Sequence, residues 1–367
     1  MGTRAMILFT LAGLAYAGPP AAAAGPGAVF TMTDEVAGNA VLAFWRDGRG
    51  ALTPAGSFPT GGTGSGGGEG VLGSQGAVTL SRDGRFLFVV NAGSDEVSSF
   101  LVDGASLTLA DVAPSGGVLP VSVTEHDGTV YVLNAGGAGN ISALRVDHRG
   151  RLAPLGGSTR PLGTATAGGA QVSFDASGDV LAVTEKAASA IALYAVDEDG
   201  RASPPRSFPS SGMVPFGFGF TRRDVLVVSE AAGGPAGTSA VSSYDVDGRA
   251  ATLLSGSVPD AQVAACWLVV TSDGRLAFVA NAASGDISSY AIDRRGDLAL
   301  VAGSAGALPS GGKPLDLALT RGDGILYALD AGNHGIVGFL NRADGALDPL
   351  GAQATGLPAH AVGLAAR

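Results

Sequence analysis

The sequence is built from a unit of about fifty residues that recurs along the chain. In one copy, residues 78–103 read VTLSRDGRFLFVVNAGSDEVSSFLVD, with runs of Val, Leu and Phe separated by the turn sequences RDG and NAG. Apolar runs bounded by such turns predict three β-strands. The third run of each copy carries a large residue near its end, at spacings of 44–56 residues. These residues are Phe44, Phe100, Leu144, Tyr194, Tyr244, Tyr290 and Phe339.

An Asx-containing turn and a weaker fourth apolar run follow each of these residues, as in LALV at residues 298–301. One four-stranded meander cannot bury both of its faces in water, so the copies must pack on one another. Four strands in about fifty residues is typical of a propeller blade. We therefore predict an all-β fold, a seven-bladed β-propeller with four antiparallel strands per blade.

The two ends of the sequence predict how the ring closes. The first copy begins at AVF, residues 28–30, with no innermost strand before it. The last copy is followed by LPAHAVGL, which resembles the innermost-strand sequence KPLDLAL. Pairing the two ends removes the open sheet edges. The predicted blades are 28–62 with 358–366, 74–117, 118–165, 168–211, 213–260, 262–309 and 312–356.

Residues 1–17 read as a secretory signal peptide, with one cation at Arg4, an apolar stretch and a small-residue cleavage site after Ala17. Residues 18–27 are rich in Pro and Ala and predict a flexible leader. A secreted or periplasmic protein is expected.

The net charge and the cysteine count limit which partners the protein can bind and which covalent links it can form. The formal charge of −10 argues against nucleic acid and anionic membranes, and no later segment suits a membrane span. Cys266 is the single cysteine, so no internal disulfide can form. We expect a monomer that binds a small molecule and has no cofactor, with Ca²⁺ in the channel as the less favoured alternative.

The Gly-rich tract at residues 61–76 reads GGTGSGGGEGVLGSQG. It leads into a predicted strand, whereas a phosphate-binding loop leads into a helix, so we reject a nucleotide site. Two interpretations stay open for this connection between blades: a mobile surface loop, or a lid over the channel mouth.

The predicted second strands end in polar residues, which should gather on one face around the channel. They are Asn91, Asn134, Glu185, Glu230, Asn281 and Asp330, with Thr33 and Asp34 in the first copy. Asn and Asp are common turn formers that bond their own backbone, so a purely structural role is the simpler interpretation. A ligand-binding ring is the alternative.

Glu185 and Glu230 stand apart because Glu is a poor turn former. Two carboxylates on adjacent blades can act as acid and base, share a cation, or pair with Lys186 and an Arg. Structural pairing is the simpler interpretation, and Glu185, Glu230 and Lys186 are the catalytic candidates if the pair has a chemical role.

The starts of the innermost strands form a second level. Counting along the repeats places Cys266, Asp316 and His360 at one height on three consecutive blades. These types can form a nucleophile, an orienting group and a base, although a buried Cys is commonly a small apolar residue. Other side chains near this level are expected to line the channel or pack between blades. They are Gln171, Phe216, Phe218 and Trp267.

The repeats RFLFVVNAGSDEVSSFLVD, TVYVLNAGGAGNISALRVD and RLAFVANAASGDISSYAID resemble the YVTN-type repeats of lactonase-like seven-bladed propellers. That group includes 6-phosphogluconolactonases and carboxymuconate cyclase-like proteins, and the resemblance covers residues 28–366. It implies the propeller fold and hydrolysis or isomerisation of a lactone. The Gly-Pro-Arg-His type sequence of the phosphogluconolactonases is absent, since the matching segments read VPFGFGF, AACWLVV and KPLDLAL.

Two functions are consistent with these observations. The first is a secreted lactonase-like hydrolase or isomerase acting on a small lactone or sugar-acid ester at the channel mouth. The second is a non-catalytic propeller that binds a small ligand, a glycan or a partner protein on the same face.

Overall fold

The computed structural model describes residues 26–67, 72–232 and 239–367, and this part of the chain contains strands and no helix. No described element is therefore a helix suited to crossing a bilayer. The predicted signal peptide and most of the predicted leader lie outside the described residues. In chain order, the strands of the first three blades are β1 (Gly27–Met32), β2 (Ala40–Arg46), β3 (Leu52–Pro59); β4 (Val78–Leu80), β5 (Phe86–Asn91), β6 (Glu96–Asp103), β7 (Ser106–Pro114); β8 (Pro120–His126), β9 (Thr129–Asn134), β10 (Asn140–Val146), β11 (Leu152–Pro154) and β12 (Arg160–Pro161).

Four further blades complete the ring. Their strands are β13 (Gly169–Phe174), β14 (Val180–Glu185), β15 (Ala190–Ala195), β16 (Arg206–Pro209); β17 (Pro215–Phe220), β18 (Val225–Glu230), β19 (Ala240–Asp247), β20 (Ala250–Pro259); β21 (Ala265–Val270), β22 (Leu276–Asn281), β23 (Asp286–Ile292), β24 (Leu298–Ala307); β25 (Pro314–Leu319), β26 (Ile325–Asp330), β27 (Gly335–Asn341), β28 (Leu347–Thr355) and finally β29 (Val362–Ala366).

The C-terminal strand closes the ring. β29 pairs antiparallel with β1, with Val29 opposite Ala366 and Phe30 opposite Ala365, and blade 1 has the order β29-β1-β2-β3. The other blades use consecutive strands, and blade 3 adds the short β12 beside β10. The predicted fold class, seven blades of four antiparallel strands with a shared first blade, is confirmed.

The core lies between the blades. Every residue of β5, β9, β14, β18, β22 and β26 is buried, because each second strand is covered by neighbouring blades on both faces. Fully buried tyrosines tie one blade to the next. Tyr131 of blade 3 donates to Gly200 O of blade 4 at 2.9 Å, and Tyr327 of blade 7 donates to Gly50 O of blade 1 at 2.7 Å.

The ring has an upper face and a lower face. The upper face carries the ends of the second strands and the connections between blades. The lower face carries the hairpins that join each first strand to its second strand, such as residues 81–85 between β4 and β5. The first strands surround the central channel that runs between the two faces.

We expect removal of residues 362–367 to lower the melting temperature sharply and to promote aggregation, because β1 then becomes an unpaired edge and blade 1 loses its inner strand. Thermal melting by circular dichroism and light scattering measures both effects. Substitution of the exposed Val118 by Ser is the control for a general loss of solubility. Unchanged melting of the truncated protein would contradict the closure.

Candidate functional site

The upper end of the channel is filled by residues 72–76, which we call the channel plug. This segment belongs to the connection between blades 1 and 2, yet it bonds to blades 3, 4 and 6. Ser74 Oγ donates to Val121 O at 2.8 Å, and Gln75 N donates to Ala170 O at 3.0 Å. Trp267 Nε1 donates to Ser74 O at 2.8 Å.

The Gln75 side chain spans the channel to blade 6. Its Nε2 donates to Leu268 O at 2.7 Å, and its Oε1 accepts from Leu268 N at 2.9 Å. The amide thus satisfies both backbone groups of one residue, as a neighbouring strand would. Gly217 of blade 5 leaves the space this requires, since a Cβ there would lie 2.2 Å from Gln75 Oε1.

Lys186 holds the plug from blade 4. Its Nζ donates to Gly73 O and lies 5.3 Å from the centre of the Phe216 ring. Burial lowers the pKa of Lys186, and burial raises the pKa of the nearby Cys266 thiol to about 12. A thiol with so high a pKa is a poor nucleophile at neutral pH. Phe216 and Trp267 pack edge to face at 5.0 Å beside this pair.

The Gly-rich tract is therefore neither a free surface loop nor a lid lying across the mouth where the structure describes it. Residues 72–76 are bonded inside the channel, and residues 61–67 run along blade 1. There Ser65 Oγ donates to Asp34 Oδ2 at 2.6 Å, and Gly66 N donates to Asp34 O at 2.9 Å. Residues 68–71 of the tract lie outside the described residues.

Below the plug lies a cavity of about 270 Å³, walled by the first strands of blades 1, 2, 3, 4 and 7. We call it the channel cavity. Its polar wall consists of hydroxyl, amide and carboxyl groups. These belong to Gln75, Thr79, Thr124, Gln171, Ser173 and Asp316.

Asp316 is the carboxyl group of the channel cavity and is 2% exposed. Its Oδ1 accepts from Leu317 N at 2.8 Å, and its Oδ2 accepts from Leu364 N at 3.0 Å, which links blade 7 to the closing strand β29. Burial raises the pKa of Asp316 to about 8, although both backbone bonds act to lower it. The group is thus protonated in most molecules at neutral pH.

Gln171 copies the bonding of Gln75 between adjacent blades. Its Nε2 donates to Phe218 O at 3.1 Å, and its Oε1 accepts from Phe218 N at 2.7 Å. Phe218 itself is 2% exposed and packs in the apolar core between blades 4 and 5. Thr124 offers a hydroxyl group that makes no hydrogen bond within the described part of the chain and faces the same cavity.

The polar residues at the ends of the second strands are buried and bind the connections between blades. Thr60 Oγ1 donates to Asn91 Oδ1 at 2.7 Å, and Lys313 N donates to Asp330 Oδ1 at 2.9 Å. Asn134 Nδ2 donates to Ser115 O at 3.2 Å. These contacts agree with a structural role for Asn91, Asn134 and Asp330. A ligand-binding role for the three side chains stays a prediction.

Glu185 and Glu230 bind two different connections. Glu185 Oε1 accepts from Gly163 N at 2.6 Å, its Oε2 is buried without a partner among the described residues, and burial raises its pKa. Glu230 accepts from Gly212 N at 2.7 Å and from the hydroxyl groups of Ser210, Ser242 and Ser257. Both residues are at most 1% exposed. Their catalytic role stays a prediction.

Asn281 belongs to a buried polar cluster between blades 5 and 6. Its Nδ2 donates to Asp286 Oδ1 at 2.9 Å and to Ser288 Oγ at 2.7 Å, while its Oδ1 has no partner among the described residues. Ser288 Oγ in turn donates to Asp260 Oδ2 at 3.1 Å. Burial raises the pKa of both Asp260 and Asp286.

The expected grouping of Cys266, Asp316 and His360 is wrong. β29 begins at Val362, so His360 precedes the strand in a turn where Ala361 N donates to Pro358 O. Ala318 pairs with Tyr327, and Ala365 pairs with Phe30 at the matching position of blade 1. Gly363, three residues beyond His360, therefore stands level with Asp316. His360 Nδ1 instead lies 2.7 Å from Gly67 O.

Among the described residues no group of three or more His, Cys, Asp and Glu side chains is arranged to hold a metal ion. Sequence reasoning missed Gln75, Ser74, Thr79, Thr124 and Ser173. The available signal was the position of Gln75 shortly before the first strand of blade 2, whereas Gln171 lies within β13.

Comparison with known proteins finds a partial sequence match to one family and similar folds among solved structures. Residues 32–160 match the family described as Lactonase, 7-bladed beta-propeller. The structure of a putative 6-phosphogluconolactonase from Bacteroides uniformis is similar, with TM-score 0.73, 18% identity and coverage of 92% of this chain and 98% of that one. The chain is therefore a seven-bladed propeller whose sequence resembles the lactonase family over residues 32–160.

Other solved structures share the fold of this propeller. The periplasmic gluconolactonase of Pseudomonas aeruginosa has TM-score 0.66 and 17% identity, and 91% of this chain and 100% of that one are covered. A putative 6-phosphogluconolactonase from Bacteroides fragilis has TM-score 0.69 and 16% identity, with coverage of 94% and 99%. Among curated proteins, no sequence matches significantly. Identities this low show the fold alone.

We expect Gln75→Ala to loosen the plug of this propeller and to expose Trp267, because the bonds across the channel to Leu268 are lost. Acrylamide quenching of Trp267 fluorescence, measured in a Trp45→Phe background, should increase. The matched control is Gln171→Ala, which removes the same kind of bond pair between adjacent blades. Equal quenching in both variants would contradict a specific role of Gln75.

Asp316 makes stability depend on pH in a defined direction. Its pKa rises from an ordinary value of 3.8 to about 8 in the folded state, so between these values the folded chain keeps a proton that the unfolded chain loses. The contribution of Asp316 to the free energy of unfolding is full below pH 4 and falls as the pH rises to about 8.

The side chain of Asn mimics the protonated carboxyl. Across this window, the free energy of unfolding of Asp316→Asn should rise relative to that of the wild type by about 1.4 kcal/mol per pH unit. Urea unfolding at pH 4, 6 and 9 measures the difference. The exposed Asp344 of the same blade provides the control Asp344→Asn, which removes one carboxylate outside the channel cavity. A flat difference for Asp316→Asn would show that its pKa is ordinary.

Proposed function

We propose that this propeller hydrolyses a single-ring sugar lactone in the channel cavity, with Asp316 as the acid–base residue. The observation that carries the proposal is the buried carboxyl of Asp316 in a polar cavity of about 270 Å³. That volume lies just below the range of about 300–1,000 Å³ typical of pockets for drug-sized ligands, so it suits one small ring.

The wall of the cavity matches a polyhydroxylated ligand. Hydroxyl groups of Thr79, Thr124 and Ser173 and the amide of Gln171 line it. A sugar lactone carries several hydroxyl groups and an ester carbonyl, each of which needs a partner when it leaves water. Support for the reaction class comes from the lactonase family match and from similar structures named as lactonases.

In the proposed mechanism, Asp316 first accepts one proton and then returns it. The ionised carboxyl takes a proton from water as the water oxygen bonds to the lactone carbonyl carbon. The hydroxyl of Thr124, which has no hydrogen-bond partner among the described residues, stabilises the oxyanion that forms. The bond from this carbon to the ring oxygen then breaks, and Asp316 returns the proton to the departing ring oxygen. The product is an open-chain hydroxy acid.

Non-catalytic binding is the second candidate, and one observation favours it. Both Asp316 oxygens already accept backbone N–H groups, and the residue is 2% exposed. A carboxyl bound in this way can serve as a tie between blades 7 and 1. In that case the same cavity holds a small polyol without turning it over.

We expect hydrolysis of glucono-1,5-lactone above the spontaneous rate, with a rate that rises through pH 8, because the ionised form of Asp316 is the base. Asp316→Asn should lose at least about 100-fold, the usual contribution of a general acid–base group. A pH-stat assay of wild type, Asp316→Asn and the control Asp344→Asn measures this.

Glu185→Gln and Glu230→Gln serve as the competing assignment in the same assay. Loss of activity in these variants with retention in Asp316→Asn would move the chemistry to the ends of the second strands. Saturable binding of the lactone without turnover by the wild type would favour the non-catalytic candidate.

We also propose that the protein is exported and works as a monomer in the periplasm or outside the cell. The predicted signal peptide supports this, and one protein of similar structure is named as a periplasmic gluconolactonase. N-terminal sequencing of the exported protein should find Gly18 as the first residue. Light scattering should give the mass of one chain.

A further inference from the structure

The channel cavity adjoins a second cavity on the lower face, of about 440 Å³. The two share wall residues on the first strands of blades 1, 2 and 7. These are Leu80, Leu319 and Ala366. We call the second cavity the lower mouth. The two cavities therefore meet along these first strands.

The lower mouth is basic in a chain of net charge −10. Its ionisable wall residues are four arginines and one aspartate: Arg46, Arg82, Arg321, Arg367 and Asp83. Each arginine keeps its charge at any working pH. Four guanidinium groups beside one acidic side chain favour an anionic ligand at this surface.

The contacts show which arginines are available. Arg46 is buried, and its Nε and Nη2 donate to Arg367 O, so it supports the wall. Arg367 uses Nη1 on Gly84 O, and Arg82 uses Nη1 on Ala176 O and lies 2.9 Å from His126 Nε2 with the same atom. Arg321 is exposed and makes no hydrogen bond or ion pair within the described part of the chain.

The single acid of this wall is already engaged. Asp83 Oδ1 accepts from Ser81 Oγ at 2.7 Å and from Arg85 N at 2.9 Å, and its Oδ2 lies 4.0 Å from Arg85 Nε. It therefore closes the hairpin turn and pairs with an arginine outside the lower mouth. Arg82, Arg321 and Arg367 line the cavity, and each has guanidinium N–H groups that bond to no other described residue.

We propose that the lower mouth binds the carboxylate of a small organic acid, and that this acid is the ring-opened product of lactone hydrolysis. The identity of the acid rests on the proposed function. Hydrolysis turns a neutral ester into a hydroxy acid, which releases one proton to solvent at neutral pH and becomes an anion. Guanidinium groups bind carboxylates through paired charge-assisted hydrogen bonds. The product therefore binds at the lower mouth, and the neutral lactone does not.

Gluconate is the probe, titrated into the full-length mature protein by isothermal calorimetry at constant ionic strength. Inorganic phosphate and glucose are the comparison ligands. Gluconate should bind saturably, more tightly than glucose, and more weakly as the salt concentration rises. Binding no stronger than that of glucose, or no binding, overturns the proposal. Phosphate binding equal to that of gluconate overturns the assignment to the product acid.

Arg321→Gln should weaken gluconate binding about fivefold, the effect of losing a charged donor at a partly exposed site. The matched control is Arg222→Gln. Arg222 is exposed and follows Thr221 in blade 5, as Arg321 follows Thr320 in blade 7, but it lies outside the residues that line the lower mouth. An equal effect of both variants would mean that net charge alone is responsible, which overturns the site.

The anion titration is independent of turnover. If the wild type hydrolyses no lactone but binds gluconate through Arg321, the proposed function fails and the anion site stands. If Asp316→Asn abolishes hydrolysis but gluconate binds to neither the variant nor the wild type, the proposed function stands and the anion site fails.

Discussion

The pairing of β29 with β1 is the interaction on which the rest of the molecule depends. It joins residues 27–32 to residues 362–366, so the first and last parts of the described chain form one sheet. β29 also forms part of the channel wall, where Leu364 N donates to Asp316. Without that strand, both the channel cavity and the lower mouth would lack one side, since Ala366 lines both.

The polar residues at the ends of the second strands have the same structural role in several blades. Asn91 and Asp330 each accept a hydrogen bond from the connection that enters their own blade, and Glu185 does the same from Gly163. Each connection must cross from the outer edge of one blade to the axis of the next. A buried acceptor at this point fixes its path and satisfies its backbone. The repeated polar residue therefore reports on the fold, and the chemistry that we propose lies on the first strands.

The fold could be predicted because its signal is local. Alternating apolar runs and turns repeat within about fifty residues, and the missing inner strand at one end matches the extra strand at the other. The candidate site was harder because its contacts are not local. Gln75 and its partner Leu268 are 193 residues apart in the sequence, and nothing near either residue specifies the other.

The register of the last strand was the second obstacle. Counting from Pro358 misplaced His360 by three residues, because that proline belongs to a turn before β29 and does not match Pro314 of β25. The arginines of the lower mouth gave no separate signal, because Arg82 and Arg321 stand in hairpin turns where any exposed polar residue fits.

The amide of Gln75 also has a consequence for the evolution of the ring. A side chain of fixed length reaches from blade 2 to blade 6 only while the circumference holds seven sheets, because gain or loss of one repeat would change the radius of the channel. Duplication or deletion of a blade, the usual way in which repeat proteins diversify, would leave the backbone groups of Leu268 without their partner. The hydrogen bonds of Gln75 across the channel therefore favour a ring of seven blades.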